Sequence, residues 1–558
     1  MGTVSMILHD QALIDEYSGL GYWSTETLFD WFRQTAAGHP ERIAVEDPPD
    51  RIDLVGTEPQ HLTYAQLARR VDALATSLMD RGLRRDDVVV VQLPNTWELI
   101  ALYLALCRAG AIISPLPMQW RQRELRYISA LAESRWYVAP TVYKGFDHHA
   151  MADALGGDTP LRQLISLDDV SLMTCSETDT ARLDAASPGA NDVATLCWTS
   201  GTEADPKGCP LTHNNWLFLG RLIARVADLR QGDRLLATAP IVNMTGVGAG
   251  LVGWLATGGT LVLHHPLNMP VLLRQLVSDD VQFTLMVPAL LNMIAKRPDI
   301  DQIDLSSLRT IATGSAPPSG WVLEEFRRRW GIEIANLWGQ NEGPVLAAGA
   351  ADVPDLSQRA ENFPYWSPER RWPSAIPGVH AKLLDDDDEV TTPGQIGELV
   401  YRGPNVFPGY FRRPDLNERL FAPGGFLRTG DLFIVRDDRH VGFHDRKKDI
   451  IIRGGFNISA AEVENIAQSH PDVIEAAAVA VPHDVLGEQV CLFVVPQKPA
   501  EPPDLASITD FMRGGGLAAY KLPERLEFTD QLPRNPVGKV LKTELRRRLQ
   551  PPNEVRAL

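Results

Sequence analysis

The sequence predicts an α/β protein with more than one domain, in which parallel sheets are covered by helices on both faces. The chain has 558 residues, which is more than one hydrophobic core usually serves. Segments with the periodicity of strands and of helices alternate through the first half, an order that predicts parallel sheets. Short β segments dominate from about Gly378, and a separate α+β unit follows Arg446.

The helices and strands of the first half follow from capping residues and from apolar periodicity. Thr63 and Gln66 have the spacing of a capping box, and apolar residues at helical spacing follow them. The run VVVVQL then predicts a buried strand. In chain order, we predict strands at Val88–Leu93, Ala111–Leu116, Leu235–Ala239, Thr260–Leu263 and Phe283–Val287, with helices at Asn95–Arg108 and Trp216–Val226.

The second half contains shorter strands and ends in a helix. The segments HAKLL, GELVYRG, FIVRDD and VGFHDR are β-like and are separated by Gly, Pro and Asp turns. The acidic run Asp385–Glu389 lies between two of them and predicts a solvated hairpin turn rather than a metal site. Gln497–Asp504 has the composition of a linker, and the basic segment Lys542–Leu549 predicts a helix.

Composition and charge exclude several classes of protein. Hydrophobic residues make up 44% of the chain and charged residues 22%, which is typical of a globular fold. A net charge of −17 argues against a nucleic-acid scaffold, because phosphate backbones are bound by excess Lys and Arg. The five cysteines are unclustered, which indicates a reducing compartment. We see no signal peptide, and the uncharged run Ile241–Leu263 contains six glycines, so we expect a soluble cytoplasmic protein without a membrane span.

A Thr/Ser/Gly segment after an apolar strand predicts a phosphate site. The segment WTSGTEADPKG, from Trp198 to Gly208, directly follows the apolar run VATLC. Such a loop places backbone N–H groups, hydroxyls and one lysine around a polyanion. It is not a Walker A loop, because Lys207 is flanked by Pro206 and Gly208 where that motif requires Gly and Ser or Thr.

A second glycine motif offers a competing hypothesis. Gly248, Gly250 and Gly253 spell GxGxxG, the fingerprint of dinucleotide-binding enzymes. The strand-like segment that follows ends in His264 and His265 instead of the acidic residue that would hold a ribose. We therefore favour close helix packing for these glycines over a dehydrogenase. The two histidines lack a partner cluster, so they do not predict a metal site.

Five further motifs follow the loop at Trp198–Gly208 along the chain. They are GSAPP (Gly314–Pro318), NLWGQNEG (Asn336–Gly343), RTGDL (Arg428–Leu432), DRKKDIIIRGGFNISAAEVE (Asp445–Glu464) and PRNPVGKVLK (Pro533–Lys542). In this order, the six motifs resemble those of the adenylate-forming enzymes, the superfamily of acyl-CoA synthetases, luciferases and peptide-synthetase adenylation domains. The loop is similar to the superfamily's phosphate loop, TSGTTGxPKG, and the opening segment YSGLGYW resembles the branch that acts on aryl and alicyclic acids.

The resemblance implies a large N-terminal domain, residues 1–447, built from two α/β lobes and a β-barrel portion. A small, mobile α+β C-terminal domain, residues 448–558, would rotate about a hinge at Lys448. One orientation would bring the catalytic Lys539 into the site for adenylation. The other would bring in the loop Arg453, Gly454 and Gly455, whose small residues leave space for the pantetheine arm of coenzyme A.

The chemistry of adenylation agrees with the site residues that the resemblance implies. A carboxylic acid is ionised at about pH 7, so the site must supply charge neutralisation and positioning rather than a general base. Lys539 would bridge the substrate carboxylate and the α-phosphate of ATP, and Glu342 with Thr202 would hold Mg²⁺. Asp431 would accept hydrogen bonds from the ribose hydroxyls, with Arg446 nearby. The implied phosphate contacts are Thr199, Ser200, Gly201, Thr202 and Lys207, and the further ATP contacts are Gly314, Ser315, Ala316, Asn336, Trp338, Gly339, Gln340 and Asn341.

Three departures from the family pattern bear on ATP and on the acid. Glu203 and Ala204 replace the usual Thr-Gly, which puts a carboxylate beside the phosphates. Asn341 replaces the Thr before the motif glutamate, and an amide can still hydrogen-bond a phosphate. Asn243 stands where relatives often carry a His near the acyl group. The candidates for the acyl pocket are uncharged, which disfavours an acid with a second charged group: Asn243, Met244, Val247 and Gly339.

Together these features predict an AMP-forming acid–CoA ligase that uses ATP, Mg²⁺ and coenzyme A on a medium-chain, alicyclic or aryl acid. The first alternative is an acyl-AMP ligase that loads the phosphopantetheine of a carrier protein, which the lack of a carrier domain in this chain weakens. The second is a catalytically weak ligand-binding homologue, which Glu203 favours and which Lys539, Glu342 and Asp431 oppose. The oligomeric state stays open, a homodimer included.

Overall fold

Helices alternate with strands up to about residue 340, as the sequence predicts. The structure is a computed structural model that describes residues 6–199, 205–483, 485–535 and 539–549. The α-helices are α1 (Gln11–Gly19), α2 (Leu28–Gly38), α3 (Arg51–Val55), α4 (Tyr64–Asp80), α5 (Trp97–Arg108), α6 (Gln122–Ala132), α7 (His148–Asp153), α8 (Leu167–Met173), α9 (Thr180–Ala186), α10 (His213–Val226), α11 (Gly253–Thr257), α12 (Met269–Ser278), α13 (Pro288–Ala295), α14 (Gly320–Trp330), α15 (Leu356–Glu361), α16 (Pro414–Asn417), α17 (Ala460–Gln468), α18 (Leu505–Gly514) and α19 (Lys542–Arg548).

The strands include those predicted from the sequence, to within a few residues at their ends, and others that the structure adds. They are β1 (Ile43–Glu46), β2 (His61–Thr63), β3 (Val88–Val91), β4 (Ile112–Pro115), β5 (Trp136–Val138), β6 (Val142–Tyr143), β7 (Phe146–Asp147), β8 (Gln163–Ile165), β9 (Val193–Trp198), β10 (Gly208–Thr212), β11 (Arg234–Ala237), β12 (Thr260–Leu263), β13 (Phe283–Leu285), β14 (Thr310–Thr313), β15 (Glu333–Gly339), β16 (Val345–Ala348), β17 (Asn362–Pro364), β18 (His380–Asp385), β19 (Asp388–Glu389), β20 (Ile396–Arg402), β21 (Phe421–Ala422), β22 (Phe426–Val435), β23 (His440–Arg446), β24 (Ile451–Arg453), β25 (Phe456–Ile458), β26 (Val473–His483), β27 (Gly487–Pro496) and β28 (Arg525–Phe528).

Two mainly parallel sheets form the first part of the chain. The eight-stranded sheet has the order β16-β15-β14-β13-β11-β12-β1-β2, and the six-stranded sheet has the order β10-β9-β4-β3-β5-β8. The edge pairs β15–β16, β1–β2 and β9–β10 are antiparallel. A single hydrophobic cluster, to which α4 and α5 contribute many buried side chains, extends through both sheets. This arrangement confirms the predicted α/β class.

The β-rich region that follows Gly378 is a seven-stranded antiparallel sheet. Its order is β17-β23-β22-β20-β18-β19, and β21 pairs with β22. The acidic run forms the tight turn between β18 and β19, where Asp385 pairs with Asp388 and Asp386 has a φ of 54°. The predicted hairpin turn is thus confirmed.

The chain ends in a separate α+β unit with its own hydrophobic clusters. Its sheet has the order β25-β24-β27-β26, β28 lies parallel to β27, and α17, α18 and α19 belong to the same unit. Its contacts with the larger part of the protein include one at the end of α13, where the Lys296 ammonium donates a hydrogen bond to the carbonyl of Val473 (2.9 Å). The basic C-terminal helix expected from the sequence is α19.

The glycine-rich segment forms a π-helix, Met244–Val252, that runs directly into α11. A Cβ on Gly248 would lie 2.8 Å from the Leu219 side chain of α10, so close helix packing explains this glycine. The GxGxxG motif is therefore helical, unlike the strand-to-helix turn of a dinucleotide fold. Among the residues that the structure describes, no helix has both the length and the apolar character needed to cross a membrane.

Candidate active site

The candidate site lies where parallel strands of the two large sheets end. β11, β13, β14 and β15 run parallel, so their carboxyl ends meet at one edge of the eight-stranded sheet. Asn341, just after β15, joins this edge to the other sheet, because its Nδ2 donates to the carbonyl of Trp198 (3.0 Å). Its Oδ1 accepts a hydrogen bond from the N–H of Met244 (2.9 Å). The strand before the phosphate loop, the π-helix and the segment Asn341–Gly343 therefore meet at this site.

The two ends of the predicted phosphate loop are joined by hydrogen bonds. The N–H of Thr199 donates to the carbonyl of Lys207 (2.9 Å), and the N–H of Lys207 donates to the Thr199 hydroxyl (3.2 Å). This closure holds Lys207 at the base of the loop, directly before β10. The predicted site residues Ser200, Gly201 and Thr202, together with Glu203 and Ala204, lie outside the described residues.

A tyrosine that the sequence analysis missed connects Lys207 with Glu342. The Lys207 ammonium donates to the hydroxyl of Tyr410 (2.8 Å), and this hydroxyl donates to Oε1 of Glu342 (2.6 Å). Burial and the negative charge of Glu342 raise the pKa of Tyr410 well above its ordinary value, so the phenol stays protonated. Tyr410 lies in the segment FPGYFRRP, which follows β20, and this segment has no residue pattern that indicates a functional tyrosine.

Asp431 lies at the centre of a second group of predicted site residues. Its Oδ2 accepts hydrogen bonds from Nε1 of Trp338 (2.8 Å) and from Nε2 of Gln340 (3.2 Å). Arg446 is its partner across β22 and β23, with Nε 3.6 Å from Oδ1. The aspartate is buried, and its two oxygens face donors from two different sheets. A fixed, buried carboxylate of this kind is a suitable acceptor for hydroxyl groups.

The turn after β14 depends on a glycine. A Cβ on Gly314 would lie 2.6 Å from the carbonyl oxygen of Leu337 in β15. Ser315, which lies between Gly314 and Ala316 in this turn, has a φ of 75°. The turn is therefore held tightly against the neighbouring strand. The amide of Asn336 is buried and donates to the carbonyl oxygens of residues 359 and 360 (3.1 Å each), so it supports the end of α15.

Lys539, from the C-terminal unit, is half-buried close to the Asp431 group. Burial and the charge of Arg446 lower its pKa to about 7, while Asp431 and Asp449 act in the opposite direction. Its backbone is fixed by Asn535, whose Oδ1 accepts from the N–H of Lys539 (2.8 Å). The C-terminal unit thus supplies a cation that a carboxylate and a phosphate could share.

Three acyl-pocket candidates, Asn243, Met244 and Val247, belong to the π-helix or to its cap, and the fourth, Gly339, belongs to β15. The side-chain oxygen of Asn243 caps this helix by accepting from the N–H groups of Thr245 and Gly246 (3.1 Å each), and Val247 is fully buried in the main core. Gly339, at the end of β15, is exposed. A small uncharged cavity opens between β11, β13 and the π-helix and is lined by Leu235, Leu236, Ala237, Thr238, Ala239, Thr245, Gly246, Ala249, Gly250, Phe283 and Leu285.

The loop predicted to contact coenzyme A is a tight turn between β24 and β25. Gly454 and Gly455 have φ values of 57° and 83°, the region that favours glycine. Arg453 forms an ion pair with Glu524 and donates to the carbonyl of Tyr520 (3.1 Å). These contacts stay within the C-terminal unit. Lys448, the predicted hinge, lies between β23 and β24.

This geometry belongs to the adenylate-forming ligases, which join ATP and a carboxylic acid into an acyl-adenylate. Comparison with known proteins identifies the family: the chain belongs to the AMP-binding enzymes, whose family model matches residues 32–411. A model of the AMP-binding enzyme C-terminal domain matches residues 462–539.

Individual relatives cover almost the whole chain. The medium-chain fatty-acid–CoA ligase of Escherichia coli (strain K12) is 32% identical over 95% of this chain and 92% of its own. The 2,3-dihydroxybenzoate-AMP ligase of Bacillus subtilis (strain 168) is 30% identical over 96% of each chain. The ATP-bound structure of MatB from Rhodopseudomonas palustris has a TM-score of 0.80 and 26% identity, over 94% of this chain and 99% of that one. The chain is therefore an AMP-forming ligase that activates a carboxylic acid with ATP, and the predicted family, fold class and enzyme class are confirmed.

Proposed function

We propose that the chain is an AMP-forming acid–CoA ligase with two half-reactions. The acid first attacks the α-phosphorus of ATP, which forms the acyl-adenylate and releases pyrophosphate. The thiol of coenzyme A then attacks the acyl carbon and releases AMP. The observation that supports the first step best is the position of Lys539, which is half-buried within electrostatic reach of Asp431 and Arg446.

Each charged group near the site has a task in adenylation. Lys539 neutralises the carboxylate and the α-phosphate as they approach, and Lys207 binds the phosphates that leave as pyrophosphate. Mg²⁺, when bound, spreads the negative charge of these phosphates. Proteins usually hold this ion by one or two carboxylates together with substrate phosphates, and the half-buried Glu342 next to Lys207 fits that pattern, with Thr202 as the second predicted ligand.

Two exposed aromatic rings beside the Arg453 turn support free coenzyme A as the acceptor. Phe456 is 56% exposed and Tyr520 is 37% exposed, and their ring centroids are 4.8 Å apart. Aromatic faces stack on nucleobases, and a guanidinium binds phosphate. Coenzyme A has an adenine nucleotide that the phosphopantetheine of a carrier protein lacks. The relative named as an AMP ligase has no coenzyme A in its name, so carrier loading stays the second candidate.

The cavity beside the π-helix supports an uncharged acyl group. None of its lining side chains is charged, and Phe283 and Leu285 give it apolar surface. Medium-chain, alicyclic and aryl acids fit this chemistry, whereas a dicarboxylic acid would bury an unpaired charge.

We propose the same two domains as the sequence predicts, residues 1–447 and 448–558, with the hinge at Lys448.

Pyrophosphate exchange with a panel of acids tests this function. Octanoate, cyclohexanecarboxylate and benzoate are each incubated with the enzyme, Mg·ATP and labelled pyrophosphate, and coenzyme A is then added. We expect exchange with at least one acid and conversion of its adenylate to the acyl-CoA. No exchange with any acid would contradict the proposed acids. Exchange without acyl-CoA formation, but with transfer to a phosphopantetheinylated carrier, would favour the second candidate.

A further inference from the structure

The hydroxyl of Tyr410 occupies a place between two groups with opposite charges. It accepts from the Lys207 ammonium at 2.8 Å and donates to Glu342 at 2.6 Å. The same ammonium lies 4.1 Å from the centroid of the Tyr410 ring, so the lysine contacts both the hydroxyl and the aromatic face. One side chain therefore touches the phosphate-loop lysine and the carboxylate proposed for Mg²⁺.

The surrounding backbone fixes this tyrosine firmly. The side chain of Asn417 bonds both backbone groups of Tyr410: its Oδ1 accepts from the N–H (2.8 Å) and its Nδ2 donates to the carbonyl (3.0 Å). The next N–H, of Phe411, donates to the carbonyl of Gly208 (2.9 Å), which ties this loop to the end of the phosphate loop. The ring itself is buried and packs edge-on against Phe407. The hydroxyl is consequently held at a fixed position.

An ammonium and a carboxylate this close would otherwise attract each other. A direct pair between Lys207 and Glu342 would have to break before phosphate and Mg²⁺ could bind, and breaking a partly buried ion pair is costly. The phenol satisfies both groups with single hydrogen bonds while it keeps them apart. A neutral hydroxyl is also easier to displace than a charge, since no ion is left unpaired.

We propose that Tyr410 is a positioning residue of the adenylation step, whose hydroxyl holds Lys207 and Glu342 apart and ready for Mg·ATP. This inference rests on the proposed function, because it uses the proposed tasks of those two residues. Tyr410 acts through them and need not contact the reacting atoms. Transfer of the acyl group to coenzyme A involves neither Mg²⁺ nor the leaving phosphates, so that step is independent of the hydroxyl.

The test is the affinity of Tyr410→Phe for ATP with and without Mg²⁺, measured by calorimetry in the absence of any acid. The variant keeps the ring and its packing but loses the hydroxyl. We expect affinity for Mg·ATP to fall about 10- to 100-fold, the effect of one hydrogen bond to a charged group. Affinity for ATP in EDTA should fall less, so the gain from Mg²⁺ shrinks. The matched control is Tyr64→Phe, which removes a buried hydroxyl that donates to the carbonyl of Gly259 (2.8 Å) in another part of the fold.

A double-mutant cycle with Glu342→Gln separates positioning from general destabilisation. If Tyr410 acts in part through Glu342, the double variant loses less affinity for Mg·ATP than the sum of the two single losses. Equal affinity of Tyr410→Phe and the wild type for Mg·ATP, or fully additive losses in the cycle, would overturn the inference. A wild-type enzyme that does not bind Mg·ATP at all would instead contradict the proposed function itself, so the two failures are distinguishable.

Discussion

Lys539 combines two properties that oppose each other. Burial and the nearby Arg446 lower its pKa to about 7, yet its proposed task requires a positive charge. The substrate carboxylate and the phosphates of ATP would bring negative charge to the site, which favours the protonated lysine. The protonation state of Lys539 in the free enzyme should therefore limit the reaction at low substrate concentration.

The pH dependence of adenylation follows from this conflict. We expect kcat/KM for ATP in pyrophosphate exchange to fall as the pH rises through about 7, because kcat/KM reports the pKa of the free enzyme and the protonated fraction of Lys539 decreases. The fall in kcat should occur at higher pH, since bound phosphates raise the lysine pKa. Both constants are measured from about pH 6 to about pH 9. A flat kcat/KM profile over this range would contradict the assignment.

Single residues differ in how far the sequence predicts them. Asp431 and Lys539 lie in motifs with a fixed order, and the structure brings them together as expected. Tyr410 could not be predicted, because its importance depends on a fold that places it between Lys207 and Glu342. Nor does the sequence reveal that the Asn243 amide is engaged in capping the π-helix.

At the scale of the elements, the turn between β14 and α14 depends directly on one residue. Gly314 approaches the backbone of β15 so closely that any side chain must displace a strand. We expect Gly314→Ala to lower the free energy of unfolding by about 1–3 kcal/mol, the usual cost of overpacking, and to weaken ATP binding. Urea denaturation and calorimetry with Mg·ATP measure the two effects.

Gly514→Ala is the matched control for this substitution. Gly514 ends α18, and a Cβ there would meet no atom within 4 Å. Its stability should therefore stay close to that of the wild type. If Gly314→Ala were as stable as Gly514→Ala and bound ATP equally well, the turn would not depend on the close approach.

The sequence predicts the strands and amphipathic helices better than it predicts the π-helix. Buried strands such as β3 and helices such as α4 follow from apolar periodicity and from the capping box at Thr63. The π-helix, Met244–Val252, has small and apolar residues on every face, so the sequence shows no helical periodicity of polar and apolar residues there. Its hydrogen-bonding pattern depends on packing against α10 and β11 instead.

At the scale of the whole molecule, the orientation of the C-terminal unit brings Lys539 close to the Asp431 group. The hydrogen bond from Lys296 to the carbonyl of Val473 is one contact that supports this orientation. Motif order predicts two units, but it contains no information about such contacts, because the residues at α13 and β26 belong to none of the motifs. The hydrogen bond between Lys296 and Val473 could therefore be found only in the structure.

Removal of this contact should affect the two half-reactions differently. We expect Lys296→Met to slow adenylation about 2- to 10-fold, since one hydrogen bond that favours the adenylating orientation is lost. Transfer from supplied acyl-adenylate to coenzyme A should not become slower. Lys382→Met is the control, because Lys382 pairs with Glu389 on the exposed hairpin. Equal slowing of both half-reactions by Lys296→Met would contradict this prediction.

The central claim is that the chain makes an acyl-adenylate with a lysine supplied by its C-terminal unit. The most direct test measures the two half-reactions of Lys539→Ala separately, with an acid that the wild type accepts. We expect pyrophosphate exchange to fall by about 10²- to 10³-fold, the usual loss for one preorganised charge contact, while acyl-CoA formation from supplied acyl-adenylate stays near the wild-type rate. Equal damage to both half-reactions, or full exchange activity in the variant, would contradict the account.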